Sequence, residues 1–322
     1  MVISRRRFVA ATAALPFGAH VYAQTYPVRP VRLVIPFPPG GAFDAVGRPW
    51  AEKMKALLGT LVVENIGGGG SSIGASVVAR AKPDGYTVLL GGTQTHVNEA
   101  LLKTKQLYDP LKDLDPVAGI VAYPLCIAVH PSLPMRTLKE LVAYAKANPG
   151  NLSYGHAGLG SIQHLTGELF KSLTATAGIV QVPYRGTGPA ITDLIGGQIQ
   201  LQFDAIATSL PHIKAGKARA LAVSSAKRST ILPDMPSIAE TVPGFNMVGW
   251  QGFLVPAGTP GEIIQRLHRE IAAVFASPEV RQRMFELGYE TVGSSPREFA
   301  EFMRADTAQF AKIISGAGIR PE

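Results

Sequence analysis

The sequence predicts a two-lobed α/β protein, each lobe a mostly parallel sheet flanked by helices, with two chain crossings between the lobes. Three observations carry this: a length of 322 residues, an alternation of short apolar runs with amphipathic stretches, and glycine-rich turns where the two meet. Single cores stop growing at about 250 to 300 residues, so a chain of this length divides into two. Hydrophobic residues make up 46% and charged residues 17%, which supplies two cores and leaves no compositional case for disorder.

Apolar, β-prone runs at residues 31–37, 87–90, 125–129, 179–184, 199–203, 218–223 and 252–255 read as strands. The stretches between them read as helices, and that alternation specifies a largely parallel sheet covered on its faces. The helices mark their own starts. Thr137-Leu138-Lys139-Glu140 is a capping box, and Thr259-Pro260-Gly261-Glu262 repeats the pattern ahead of Ile263, Ile264, Leu267, Ile271, Val274 and Phe275 at helical spacing. Ser277-Pro278 and Ser295-Pro296-Arg297-Glu298 open two more, with proline at the first helical position, where its missing N–H costs nothing. No internal repeat is found, and the one low-complexity tract is Gly67-Gly68-Gly69-Gly70-Ser71-Ser72. Crossings are expected near Pro124 and between Pro243 and Gly249. They give a discontinuous first lobe of residues 24–124 and 248–322 and a second lobe of residues 125–247.

Residues 1–23 read as an export leader. Arg5, Arg6 and Arg7 supply the positive end, a short apolar stretch follows, and Val21-Tyr22-Ala23 offers small residues before a cut. The Ser4-Arg5-Arg6-Arg7-Phe8 string resembles a twin-arginine signal and fits an ordinary secretory leader as well. The apolar stretch is far short of the ~20 residues a bilayer needs, and no later one is longer, so the mature chain is expected outside the membrane, in the periplasm. Counting the leader, 31 basic residues face 23 acidic ones, a net +8; without its three arginines the balance is +5. A mildly positive field suits capture of anions, while the scattering of the basic residues argues against nucleic acid. Cys126 is the only cysteine, so it forms no internal disulfide and reads as a small buried hydrophobe.

Three turns carry the candidate site. In Val34-Ile35-Pro36-Phe37-Pro38-Pro39-Gly40-Gly41-Ala42-Phe43-Asp44 an apolar strand runs into a proline-glycine turn and then a helix. Free N–H groups at a helix start, reached through glycines, make an anion site. Ser153 to Ser161 repeats the design, with Gly158, Leu159 and Gly160 before Ser161, which can cap the helix that follows. Val182-Pro183-Tyr184-Arg185-Gly186-Thr187-Gly188 is the third, and Arg185 reads equally as a ligand clamp and as a hinge ion-pair partner. Turns from different thirds of the chain can face one another across a cleft between lobes, beyond the carboxyl ends of the strands. Enzyme signatures fail: neither glycine-rich tract fits a nucleotide loop, and Leu159 and Gln163 stand where a nucleophile elbow around Ser161 needs glycine. His156 and His164 lie eight apart with no metal-ligand motif. No cofactor and no metal is expected.

At these turns the sequence resembles the Bug-type solute receptors of tripartite tricarboxylate transporters. The likeness runs through Pro30-Val31-Arg32-Leu33-Val34-Ile35-Pro36-Phe37-Pro38-Pro39-Gly40-Gly41, Lys82-Pro83-Asp84-Gly85-Tyr86-Thr87, Gly160-Ser161-Ile162-Gln163-His164-Leu165, Val182-Pro183-Tyr184-Arg185-Gly186 and Leu232-Pro233-Asp234-Met235-Pro236-Ser237. The resemblance implies a periplasmic binding protein of type II, a Venus-flytrap monomer that closes on a small carboxylate and does no chemistry on it. Its contacts would be Gly41, Ala42, Phe43, Asp44 and Thr93 from the first lobe, and Gly158, Leu159, Gly160, Ser161, Arg185 and Asp204 from the second. Two departures from the family pattern matter. Gly47 and Pro49 predict a kinked first helix, and Phe43, in place of a smaller residue, predicts an aromatic or bulky carboxylate rather than citrate. Delivery to membrane permease subunits is the first expectation, signalling to a membrane sensor kinase the second, and a periplasmic hydrolase a distant third.

Overall fold

The computed structural model describes residues 26–184 and 186–321; the leader and Arg185 lie outside the described residues. Ten strands join in one continuous array. β1 (Val31–Ile35) pairs in parallel with β2 (Leu61–Asn65) and β3 (Thr87–Gly92). β9 (Val248–Pro256) inserts antiparallel between β3 and the long β4 (Leu114–Val129), and the short β10 (Glu290–Thr291) adds on β4. β5 (Ser153–His156) lies parallel to β6 (Val180–Pro183) and β7 (Leu201–Ala205). β7 and β8 (Arg219–Val223) both pair antiparallel with β4.

β4 changes partners along its length. Through Pro124 it pairs with β9, and from Leu125 with β7 and β8. One strand thus belongs to two sheets. The chain returns to the first sheet at β9.

Alternation along the strands explains the cores. Leu33, Ile35, Val88, Leu90, Phe253 and Val255 face α1 (Ala42–Leu58) and α8 (Gly261–Ala276) in one apolar cluster. Leu125, Ile127, Val129, Leu201 and Phe203 face α4 (Leu138–Ala147) and α5 (Ile162–Thr174) in another. α2 (Ser72–Ala79) and α3 (Thr93–Val97) follow β2 and β3; α6 (Thr187–Ile195) and α7 (Ile206–Lys214) precede and follow β7. α9 (Pro278–Glu286) and α10 (Pro296–Gly316) close the chain. α10 does not stay on one sheet: Phe299 and Met303 pack against the first, whereas Phe310, Ile313 and Ile314 pack in the cluster of the second.

The capping expectations hold at Thr137, Ser277 and Ser295, whose side chains accept the N–H groups of Glu140, Val280 and Glu298. Thr259 is a correction. The cap position is Pro260, one residue later, so α8 starts without a side-chain cap, and the Thr259 hydroxyl donates to Pro256 O at 2.7 Å instead. α1 continues through Pro49 to Leu58. Gly47 serves packing, since a β-carbon there would stand 2.9 Å from both Ile35 Cδ1 and Leu90 Cδ2.

Candidate functional site

The β1–α1 turn is braced before any ligand arrives. Asp44, buried in the first turn of α1, accepts the Gly40 N–H, the Asn65 side-chain amide at 2.9 Å and Arg48 Nε at 3.3 Å. Asn65 Nδ2 also reaches Phe37 O at 3.0 Å. Asp44 therefore shapes the turn. Its carboxylate is engaged by neighbours, and Gly41, Ala42 and Phe43 of the same turn line the cleft beside it. The Phe43 ring is mostly buried and stacks on Phe37, with ring centroids 4.3 Å apart.

That cleft is a cavity of about 630 Å³ lined from both sheets. The first sheet contributes the turns before α1 and α2, with Gln94 of α3; the second contributes the starts of α5, α6 and α7. Tyr123 of β4 and Tyr289, beside β10, close it where the chain crosses. Their rings meet edge to face at 5.6 Å, and the Tyr289 hydroxyl donates to Ala42 O at 3.4 Å. Burial pushes the Tyr289 phenol up to about 12 and raises Tyr123 further still, so both rings remain neutral.

Five helices of eight or more residues, α1, α2, α5, α6 and α7, direct their N-terminal residues at this cavity: Ala42, Ser71, Ile162, Thr187 and Ala205 stand at or beside those starts. Each start carries roughly half a positive charge. Among the described residues, no Lys, Arg, Asp, Glu or His lines the cavity. The field is therefore positive without a cation.

The Gly158 turn lies one step away. Gly158, Leu159 and Gly160 line an adjoining cavity of about 680 Å³ that shares Gly70, Gln94 and Ala157 with the first. Ser161 is buried and its Oγ accepts the His164 N–H at 3.2 Å, the expected cap. His164 Nδ1 in turn accepts the Gly160 N–H at 3.2 Å. Burial, and then the neighbouring His156, pushes His164 down to about 4, which keeps that nitrogen an acceptor. Among the described residues no group of His, Cys, Asp or Glu is placed to hold a metal.

Two expected residues sit deeper than the turns. Thr93 is buried and its Oγ1 accepts the Trp250 N–H at 3.2 Å, leaving the cleft position to Gln94. Asp204 is fully buried on β7, opposite Cys126, with Oδ2 accepting from Ser209 at 3.1 Å and Oδ1 without a partner. Burial pushes its carboxyl up to about 7. Cys126 is also buried, and its thiol is pushed up to about 12 by burial and then by Asp204.

Sequence reasoning missed Ser71, Gln94, Tyr123, Gln163 and Tyr289. Ser71 carried a usable signal, because Gly67 to Ser72 is a fourth strand-glycine-helix junction of the same design. The tyrosines carried none, since only the crossing brings positions 123 and 289 together.

Such an array, with a strand shared between two sheets and helix starts from both meeting at one cavity, is that of a periplasmic solute-binding receptor. The sequence profile of the tripartite tricarboxylate transporter family receptors matches residues 46–319. Protein BugT of Bordetella pertussis is 35% identical over 96% of this chain and 95% of its own length. The structure of R. palustris Rpa4515 with adipate superposes with a TM-score of 0.85 at 37% identity, covering 92% of this chain and all of that one. MatC (Rpa3494) from Rhodopseudomonas palustris with bound malate gives a TM-score of 0.80 at 31% identity, over 90% of this chain and 100% of that one. The chain belongs to the tripartite tricarboxylate transporter receptor family, in its Bug-type branch.

Proposed function

We propose that this protein is a periplasmic receptor that captures a small carboxylate between two lobes, residues 24–124 with 248–322 and residues 125–247, and passes it unaltered to the permease subunits of a tripartite transporter. The observation that carries the reading is the meeting of five helix N-termini, from both sheets, at one cavity with no charged side chain among its described lining residues. Main-chain N–H groups at the helix starts bind an anion there, and desolvation strengthens the interaction. Similar proteins with adipate and with malate bound support the same ligand class. The partner change of β4 at Leu125 and the return at β9 supply two crossings for closure, and α10 bridges them.

No turnover follows from the same chemistry. Ser161 is buried as a helix cap, and its Oγ engages a main-chain N–H. The apolar side of the cleft, with Phe37, Phe43, Ile162, Tyr123 and Tyr289, favours a ligand with a bulky or aromatic body over citrate. Among the described residues no helix is long and apolar enough to cross a membrane.

Native mass spectrometry of the protein purified without refolding, followed by a thermal-shift panel of citrate, adipate, malate and benzoate, tests the reading. A co-purifying acid and stabilisation by at least one carboxylate are expected. Stabilisation by citrate with none by benzoate would remove the aromatic preference. No response to any carboxylate would remove the function.

A further inference from the structure

Ser71 holds an unusual position. It follows Gly68, Gly69 and Gly70, all at positive φ, and takes φ +85° itself, in the left-handed region that favours glycine. A glycine there would relieve the backbone, yet the chain carries a side chain. That side chain is 2% exposed, lines the cleft, and its Oγ has no hydrogen-bond partner. A buried hydroxyl left unpaired on a strained residue marks a place where something else completes it.

The opposing element carries an unpaired acceptor. Gln163, in the first turn of α5, is 7% exposed, lines the same cavity, and its Oε1 has no partner. Asn98 stands between the two loops. Its Nδ2 donates to Gly70 O at 3.1 Å, and its Oδ1 would lie 2.5 Å from a β-carbon at Gly160.

We propose that Ser71 and Gln163 form a subsite spanning the cleft that selects a hydroxyl substituent on the bound carboxylate. The proposal rests on the receptor reading above and narrows its ligand to the hydroxylated acids. A hydroxyl accepts from Ser71 Oγ–H and donates to Gln163 Oε1 in the same contact. A second carboxylate has no proton to give Gln163 Oε1, and an amine brings positive charge to a cavity already ringed by the positive ends of helices. A ligand without the hydroxyl leaves both buried groups unpaired, the arrangement that discriminates most strongly against an analogue.

Paired probes test this: malate against succinate, and 4-hydroxybenzoate against benzoate, by calorimetry on the full mature chain. In the wild type at least one hydroxylated member binds about tenfold tighter than its partner, the equivalent of about 1.4 kcal/mol. Ser71→Gly raises the melting temperature, because glycine accepts φ +85°, and collapses that ratio toward one. Gln163→Met, which keeps the length and removes the amide, collapses it as well. A ratio near one in the wild type, or a ratio unchanged in both variants, overturns the subsite while leaving the receptor reading intact. Failure of every acid to bind overturns both.

Discussion

Ser224 is bonded to Leu125 twice: its N–H donates to the Leu125 carbonyl at 2.8 Å and its Oγ accepts the Leu125 N–H at 2.7 Å. The same hydroxyl donates to Met247 O at 2.5 Å, and Ser224 O accepts the Met247 N–H at 2.8 Å. Leu125 is where β4 enters the second sheet, and Met247 immediately precedes β9. One residue therefore ties both crossings to each other.

Ser224→Ala removes the hydroxyl and strands a buried N–H and a carbonyl. Leaving such groups unpaired costs about 1–3 kcal/mol, so the urea midpoint should fall with an unchanged slope. Small-angle scattering should also report a wider spread of inter-lobe distances. An unchanged midpoint would mean that solvent reaches the crossing and replaces the hydroxyl.

Gly41→Val separates binding from folding. Gly41 has φ −87°, and the nearest atom to a β-carbon there is Pro38 O at 3.9 Å. The valine fits the fold within about 0.5 kcal/mol and stands over the N–H groups at the start of α1. Calorimetry with the co-purified acid should show a loss of about tenfold or more. Ser161→Ala behaves in the opposite sense, since it removes a buried cap, and should lower stability by about 1 kcal/mol. Equal affinity in Gly41→Val and the wild type would take the ligand away from α1.

Asp44→Ala tests whether that carboxylate acts on the ligand or on the turn. Here the Gly40 N–H, the Asn65 amide and Arg48 all point at it. Hydrogen exchange should therefore speed up across residues 38–44 even without ligand, and affinity should fall with it. Slow exchange combined with weak binding would instead make Asp44 a direct contact.

How much was legible follows from which interactions are local. The caps at Thr137, Ser277 and Ser295 were readable because each cap and the N–H that donates to it lie within three residues. The β1–α1 turn was readable as a strand-turn-helix junction, and it lines the cleft, because proline, glycine and helix start are adjacent in sequence. The bonds of Asp44 to Asn65 and of Thr93 to Trp250 were not legible, since the partners come from other elements. The Thr259 cap failed because α8 starts one residue later, from Pro260, which has no side-chain acceptor. Tyr123 and Tyr289 meet across 166 positions of sequence, and no local pattern encodes that contact.

Asp204 makes the stability of the fold depend on pH in a direction that can be isolated. In the unfolded chain its carboxyl titrates near 3.9; burial in the fold pushes it up to about 7. Below about pH 4 both states hold the proton and neither is favoured on this account. Between about 4 and 7 the fold keeps the proton and the unfolded chain does not, so stability falls as pH rises; above about 7 the loss is complete. Buried His164 and His96, both pushed down to about 4, titrate with the opposite sign, and buried Asp306, pushed up to about 6, with the same sign, so the wild-type curve alone mixes them. Asp204→Asn removes one contribution and leaves the others. The amide can still meet Ser209 Oγ, and it stays neutral throughout. The variant should therefore match the wild type near pH 4 and exceed it by up to a few kcal/mol near pH 8 in urea titrations, the difference opening between those limits. Two parallel curves would mean that water reaches Asp204 and that its carboxyl is ionised in the fold at neutral pH.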